Sequence, residues 1–375
     1  MAKSLIRRFA KWFFISLNIL VCIVFLLACL SPFLNSSKWP FISFLALGIP
    51  YLAVLLIFLT IFWLIIKPVR ALISIVTLLI GWKQLTVICA WHTSRTFNNE
   101  NKNDSVLRVI TWNVRGMYGL SKNSYTQIRD RSEIGELVSR LNPDIVCLQE
   151  FNNSTYKNSP YANNIGLFTG KCPYYFFSKD IKNSNGRYYA GSILFSKFPI
   201  VDSGKIKFPG TSAESLIYAD IVKDKDTIRI FTTHLQSFQF TQSDYAQMEK
   251  IKDPDRQAIQ ASENIYSKMK LAYRSRGVQT DMVRKATDKC SHASIVCGDF
   301  NDVPNSYTYF KIRGNRQDAF LASSFGVGRT YNALAPTLRI DYILPDDRFN
   351  ILQFDLIDEG LSDHHLLVSD VSLKK

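Results

Sequence analysis

Ser294-Ile295-Val296-Cys297-Gly298-Asp299-Phe300-Asn301-Asp302 decides the fold. Ile295, Val296 and Cys297 form a short unbroken apolar run, the pattern of a strand covered on both faces. Gly298 lets the backbone turn or come close to a neighbour. Asp299 and Asn301 are two residues apart, so on an extended chain they share one side. A carboxylate and an amide at the mouth of a buried strand can hold an attacking water and a charged oxygen. Taken alone, the stretch also fits a plain strand-to-loop turn, which Asp and Asn favour for their own reasons.

The same design recurs through the second part of the chain. Val106 to Trp112 is apolar and β-branched, and Asn113 follows it. Asp144 to Gln149 ends on Glu150. Gly191 to Ser196 is another strand, and Thr227 to Thr233 delivers His234. Arg339 to Leu344 carries Asp341 among apolar neighbours, and Leu361-Ser362-Asp363-His364-His365 precedes Leu366 to Val368. Each polar tip has a structural explanation by itself, as a cap, a turn or a solvated charge. Asp341 resists that explanation, because a carboxylate inside an apolar strand needs a partner, and His364 suits it. Helical spacing predicts a helix over 125–140, ended by Asn142-Pro143. It also predicts two helices over 244–289 with a break near Gly277.

Composition divides the chain before Val106. Residues 1–91 hold no Asp or Glu and eight of the 45 Lys and Arg, so +8 of the +14 net charge lies there. Trp12 to Leu34, Phe41 to Ile66 and Ala71 to Trp91 are apolar runs, the last interrupted by Lys83; each is read as a transmembrane span. The first is too long for a signal peptide and another follows at once. Lys3, Arg7, Arg8 and Lys11 precede the first span, Lys67 and Arg70 separate the second and third, and only Lys38 lies between the first two. The positive-inside rule then places the N-terminus in the cytoplasm and, after three spans, the remainder outside it. Two spans would leave that remainder in the cytoplasm. The polar, Asn-rich stretch 92–105 reads as a linker, and 106–375 as one globular domain. The seven cysteines show no paired spacing, so neither a disulfide framework nor a zinc site is indicated.

Thr111-Trp112-Asn113-Val114-Arg115-Gly116, Leu148-Gln149-Glu150, Thr233-His234-Leu235, Gly298-Asp299-Phe300-Asn301, Arg339-Ile340-Asp341-Tyr342 and Ser362-Asp363-His364 occur in that order. This set resembles the endonuclease/exonuclease/phosphatase superfamily over 106–373, and the three-span leader resembles a bacterial membrane-anchored branch of it. The resemblance implies an α/β fold, a four-layer sandwich of two packed mixed sheets flanked by helices, here preceded by a bundle of three transmembrane helices. It implies Glu150 as the main Mg²⁺ or Mn²⁺ ligand, with Asn113 near the metal and phosphate and Asp363 a further carboxylate there. Asp299 would orient or activate the water, Asn301 stabilise the charged oxygen, Asp341 orient His364, and His234 protonate the leaving oxygen. Leu366 stands where the family often has Pro, and His365 beside His364 leaves a role swap open.

The expected activity is divalent-metal phosphodiester hydrolysis, most naturally nucleolytic, with a phospholipid or inositol-phosphate esterase as the alternative and a non-catalytic binding module as the remaining one. Hard oxygen ligands suit Mg²⁺ or Mn²⁺. The soluble part is only mildly basic, so its charge does not single out nucleic acid. Arg187 and Tyr189 are candidate substrate contacts. The lipid bilayer is the expected partner, and no feature calls for an obligate protein partner.

Overall fold

The structure is a computed structural model that describes residues 2–92, 97–100, 102–121, 123–156, 159, 162–183, 185–210, 214–250 and 256–374; for 2–4, 124, 249–250 and 256–258 only the backbone is described. Two compact units emerge, and neither is a single stretch of chain. One comprises Met1–Cys89, Gln239–Gly277 and Val303–Phe310; the other comprises Ala90–Phe238, Val278–Asp302 and Lys311–Lys375.

The first unit is built on helices α1 (Ala2–Ala28), α2 (Pro40–Ala46), α3 (Ile49–Ile66), α4 (Pro68–Ile80) and α5 (Trp82–Leu85). Val21, Phe25, Ala46, Ile49, Ala53 and Leu56 form its buried seam. Outward-facing Leu20, Val54, Phe58, Ile65, Leu72 and Leu79 are exposed. Two helices, Leu5–Ala28 and Ile49–Ile66, are long and apolar enough to cross a membrane. The three expected spans are therefore redrawn. The first helix ends at Ala28 rather than Leu34, because the chain turns through Leu30–Leu34. The second run is divided, with Gly48-Ile49-Pro50 separating α2 from α3. The third run is not one helix of spanning length: α4 has 13 residues and stops at Gly81. A Cβ at Gly81 would meet the Phe25 ring at 2.3 Å, so the backbone can pass there only without a side chain.

Gln239–Gly277 brings α8 (Gln242–Lys250) and most of α9 (Arg256–Asp288). The break expected near Gly277 is absent. α9 runs unbroken for 33 residues, and Gly277 serves close approach: a Cβ there would lie 2.4 Å from Asn35 Oδ1 and from the Ser37 backbone nitrogen.

The second unit stacks two sheets. The smaller has the order β12 (Asp341–Pro345), β10 (Ala293–Asp299), β9 (Asp226–His234), β8 (Ser215–Lys223), β7 (Ile200–Lys207). The larger has the order β13 (Phe349–Ile357), β14 (Leu366–Leu373), β2 (Leu107–Asn113), β3 (Ile145–Ser154), β6 (Tyr188–Ser196), β4 (Tyr174–Phe177), with β5 (Ile181–Lys182) also on β6. A two-residue β1 (Ala90–Trp91) pairs with β11 (Phe325–Gly326). Both main sheets mix parallel and antiparallel neighbours: β2–β3 and β9–β10 are parallel, the other pairs antiparallel.

Side-chain alternation explains why the central strands read as unbroken apolar runs. Leu107 and Val109 of β2, Ile145 and Cys147 of β3, Ile228 and Ile230 of β9, Ile295 and Cys297 of β10 and Ile343 of β12 meet in one core between the sheets. Ile110, Trp112, Val146 and Leu148 point to the other face, where Ile134, Leu137 and Val138 of α6 (Ser124–Arg140) and Phe168 of α7 (Gly166–Thr169) cover them. Each fully buried Leu or Ile is worth about 1.5–3 kcal/mol, so the two-faced burial holds these strands in register. The architecture is the expected mixed α/β arrangement of stacked sheets with helices. Short helices α10 (Tyr307–Arg313) and α11 (Ala319–Ser323) and a 3-10 turn at Arg115–Met117 are the remaining elements among the described residues.

Candidate active site

Alternation also places the polar tips. The inward-facing positions of β2 run Leu107, Val109, Thr111, Asn113; those of β10 run Ile295, Cys297, Asp299; those of β9 run Ile228, Ile230, Thr232, His234. Asp341 is the first residue of β12, two before inward-facing Ile343. Each strand thus turns polar at one end of the inter-sheet core. The pairing Asp299 to Asp341 on one side and Asp299 to His234 on the other makes the three neighbours.

Glu150 needs a further device. On a regular β3 the inward position would be Gln149, whose Nε2 is indeed buried on Thr111 Oγ1 (3.1 Å) and Thr232 Oγ1 (2.9 Å). The β3–β6 register shifts between Leu148 and Phe151, and Glu150 takes φ 52°, a left-handed conformation that a non-glycine residue adopts at a cost. The irregularity turns the Glu150 carboxylate toward the site.

Asn113 links the carboxylates. Its Nδ2 donates to Glu150 Oε1 (3.0 Å) and to Asp299 Oδ2 (3.0 Å), and its Oδ1 accepts the Arg115 N–H (3.0 Å). Asn301 does not continue the strand. It sits at φ 52°, its N–H caps Asp299 Oδ1 (2.8 Å), and its Nδ2 donates to the Leu235 carbonyl (2.8 Å). The same-side relation of Asp299 and Asn301 expected from strand period is thus replaced by a turn, which ties Asn301 to the residue after His234.

His364 and Asp341 meet as expected, Nδ1 to Oδ2 at 3.0 Å. Thr330 Oγ1 caps the Asp341 N–H (3.2 Å), and the Tyr331 ring lies 4.8 Å from the imidazole. The Trp112 indole donates to the His364 carbonyl (2.8 Å), and Ser362 Oγ to the Asn113 carbonyl (2.7 Å), so the end of β2 is stitched to the Ser362–His364 loop. His365 points elsewhere, its Nε2 on Asn332 Oδ1 (2.8 Å) and near Asp358 (3.2 Å). That geometry puts His364, and not His365, beside Asp341 and Asp299.

His234 Nε2 is buried with no hydrogen-bond partner, 3.8 Å from Glu150 and 3.6 Å from Asp299. His364 Nε2 lies 3.7 Å from Asp299 Oδ2. Burial works against protonation of both histidines, but the carboxylates outweigh it: Asp299, Glu150 and Glu214 raise His234, and Asp341 and Asp299 raise His364 further. Burial also pushes Asp341 up, with His364 opposing.

Asp363 lies at the rim, 31% exposed and 3.4 Å from Arg115, whose Nη1 also donates to the Gly119 carbonyl (3.2 Å). The structure does not bring Arg187 and Tyr189 into the hydrogen-bonded set. Arg187 is exposed beside Tyr156 (5.9 Å), and Tyr189, paired with Asn153, carries Lys179 (5.1 Å) and Lys182 (5.9 Å) over its ring. Sequence reasoning missed Gln149, Arg115 and Thr330 as parts of the site. Gln149 and Arg115 stand inside the quoted motifs, whereas Thr330 carries no local signal.

The donors fit a divalent cation. Glu150, Asp299, Asp341 and Asp363 bring four carboxylates to one region, with Arg115 beside Asp363. Asp299, Asp341 and His364 offer ligand atoms that all lie within 4.8 Å of one another. A hard, oxygen-rich set beside the buried, unpartnered His234 Nε2 is the donor chemistry that a divalent cation takes.

The Endonuclease/Exonuclease/phosphatase family matches residues 110–364, the span that carries every one of these side chains. The chain belongs to this family. Endonuclease/exonuclease/phosphatase members are hydrolases acting on phosphoester bonds, nucleases and phosphatases among them, and are generally dependent on a divalent metal. Residues 10–88 match a second family, described as a domain of unknown function (DUF8431). No curated protein sequence matches significantly. An endonuclease/exonuclease/phosphatase from Beutenbergia cavernae is similar in structure, with TM-score 0.50 and 17% identity over 72% of each chain. The human Nocturnin catalytic domain with bound sulfate (TM-score 0.48, 20% identity, 72% of this chain and 94% of that one) is also similar. So is humanized D. rerio TDP2 (0.46, 19%, 72% and 99%). The first of these likenesses is to the fold alone.

Proposed function

We propose that this chain is a membrane-anchored, divalent-metal-dependent phosphodiester hydrolase whose natural substrate is a nucleic acid. One observation carries the hydrolase reading: Asn113, Glu150, His234, Asp299, Asp341 and His364, from five strands and the Ser362–His364 loop, converge at one end of the inter-sheet core with two histidine Nε2 atoms facing one carboxylate. Glu150 would hold the Mg²⁺ or Mn²⁺, with Asp363 and Asn113 beside it. When bound, the ion supplies charge neutralisation for an anionic phosphate.

The chain's own groups do the rest. Asp299 Oδ2 orients the attacking water and takes its proton, while Asn113 keeps that carboxylate next to Glu150. His364, its Nδ1 fixed on Asp341, presents Nε2–H to a phosphoryl oxygen. Asn301 keeps one amide N–H for the charge that develops there, its other being spent on Leu235. His234 Nε2 donates its proton to the leaving oxygen as the ester P–O bond breaks. General acid help of this kind contributes about 10²–10⁴-fold.

Exposed Lys179, Lys182 and Arg187 beside Tyr156 and Tyr189 support a polyanionic substrate, since rings and cations together suit a nucleic-acid backbone and its bases. A membrane anchor favours the second reading, a phospholipid or inositol-phosphate headgroup. The purified full chain in detergent should cleave DNA or RNA with Mg²⁺ or Mn²⁺ and stop in EDTA. Glu150→Ala and His364→Ala should each lose about 10²-fold or more. Equal turnover by both variants rejects the site; cleavage of sphingomyelin or phosphoinositide vesicles without nucleic-acid cleavage rejects the substrate.

The anchor reading goes one step past two helices. α4 and α5 run alongside α1: Ser74 Oγ donates to Asn18 Oδ1 (2.7 Å), Gly81 lies against Phe25, and Gln84 Nε2 reaches the Cys29 carbonyl (3.4 Å). At the other end the Phe14 and Phe62 rings pack (4.8 Å), and Arg70 covers Trp63 (4.8 Å). Pro68–Leu85 therefore traverses the bundle in two pieces, about 27 Å at helical rise, nearly the thickness of a hydrocarbon core. The third run then crosses, and the catalytic unit is extracytoplasmic. Lys83 sits at the far end of the bundle, 5.7 Å from the Phe310 ring.

A further inference from the structure

Glu214, Gln279 and Gln236 form a buried chain beside the site that no step above uses. Glu214 is 4% exposed and Gln279 fully buried. Gln279 Nε2 donates to Glu214 Oε2 (3.0 Å), and Gln279 Oε1 accepts the Gln236 N–H (2.8 Å). Gln236 lies two residues after His234. The residue between them, Leu235, is pinned on its N–H by the Asp299 carbonyl (3.0 Å) and on its carbonyl by Asn301. The segment leaving His234 is thus fixed twice, once by the catalytic loop and once by Gln279.

The chemistry gives this chain a direction. A carboxylate only accepts hydrogen bonds, so Glu214 obliges Gln279 to present its NH₂ to it and leaves Oε1 for the Gln236 N–H. With a neutral group at 214 the amide could turn over and lose the backbone contact. A buried carboxylate is costly to keep, and structure that needs only packing would use an apolar residue. Extending the β8–β9 register, in which Leu216 faces Thr233, places Ser215 opposite His234 and Glu214 one residue farther on.

We propose that Glu214 and Gln279 are a positioning pair for His234, holding the backbone after it so that Nε2 stays aimed into the site. This rests on the reading that His234 protonates the leaving oxygen. A general acid matters most when the leaving group is poor. Two phosphodiesters that differ only in leaving group, p-nitrophenolate against phenolate, therefore separate positioning of the acid from loss of fold.

The full chain with Mg²⁺ in detergent is assayed on both. Gln279→Ala should cut kcat on the phenyl diester by about ten- to hundredfold and on the p-nitrophenyl diester by less than about threefold, with KM unchanged. His234→Ala should show the same pattern. The swap Glu214→Gln with Gln279→Glu keeps both hydrogen bonds, reversing the one between 214 and 279 while the carboxylate at 279 still accepts the Gln236 N–H, and should restore the phenyl diester to within about threefold. Equal losses on both substrates, or no loss while His234→Ala shows the pattern, overturns the pair. Exchange of the Gln236 amide reads the geometry without activity: slow in the native chain and the swap, fast in Gln279→Ala. Unchanged exchange in Gln279→Ala overturns the inference on its own. If His234→Ala shows no leaving-group dependence but the exchange result holds, it is the acid role of His234 that falls, and with it the catalytic purpose of the pair.

Discussion

At Gly277 a methyl group would land 2.4 Å from both Asn35 Oδ1 and the Ser37 backbone nitrogen. Elsewhere in a helix, Gly to Ala gains about 1 kcal/mol of propensity. Here the amide of Asn35 can rotate away but the Ser37 backbone cannot, and overpacking costs about 1–3 kcal/mol. Gly277→Ala should therefore lower the thermal midpoint of the full chain in detergent, the opposite sign from an exposed helix glycine; a raised midpoint would refute the close approach. The residue type was legible in the sequence while its purpose was not, because a mid-helix glycine reads as a break until its neighbour, some 240 residues away, is known. Glu150 is a similar case. Its identity stood in the Leu148-Gln149-Glu150 motif, but strand alternation favours Gln149 as the inward residue, and only the positive φ and shifted register turn Glu150 to the site. His364 and His365 could not be told apart by spacing; the Asp341 and Asn332 contacts separate them.

At the scale of elements, strands were more legible than helices. The β10 and β3 runs are apolar on both faces, which leaves few alternatives, and their polar ends mark the site directly. The region 239–289 carries mixed charge throughout, and nothing in its pattern states which neighbours its helices take. Helix α8 shows what holds such a segment. The Asp244 carboxylate accepts from the Thr241 N–H (2.6 Å) and from Lys268 Nζ (2.6 Å) on α9. The Lys268 contact, then the Thr241 bonds, hold Asp244 down at about 2. A depressed carboxylate contributes stability that is present above its unfolded value, about 3.9, and is lost as pH falls through about 2. Lys268 is 40% exposed, so solvent screening limits the contribution to about 1 kcal/mol. Asp244→Asn should lower the thermal midpoint at pH 6, and the gap to the native chain should narrow as pH is taken from 4 toward 2. A gap that stays constant over that range would show that the carboxylate's charge plays no part.

At the scale of the whole molecule, the charge map and the bundle packing answer the same question. Lys3, Arg7, Arg8, Lys11, Lys67 and Arg70 gather at the end of the bundle marked by Phe14, Phe62 and Trp63, whereas Lys38 and Lys83 lie toward the end marked by Cys29 and Gln84. On the proposed anchor reading, six basic residues against two would put the first end in the cytoplasm. Hydropathy alone makes the third run the weakest, because Gly81 splits it and Lys83 interrupts it. Packing supports the proposed third crossing: Ser74 and Asn18, both buried, satisfy each other inside the bundle, as a hydrocarbon setting would require. The chain then leaves the bundle after Leu85 at the end opposite its N-terminus. An alkaline phosphatase fused after Lys375 in a bacterial host should be active, and a green fluorescent protein exported by the same route should stay dark. A fusion truncated after Lys67, where the chain has crossed twice, should give the reverse. Fluorescence from the Lys375 fusion would mean that Pro68–Leu85 returns without crossing. The catalytic unit would then face the cytoplasm, and its substrates would be the nucleic acids and lipids of that side.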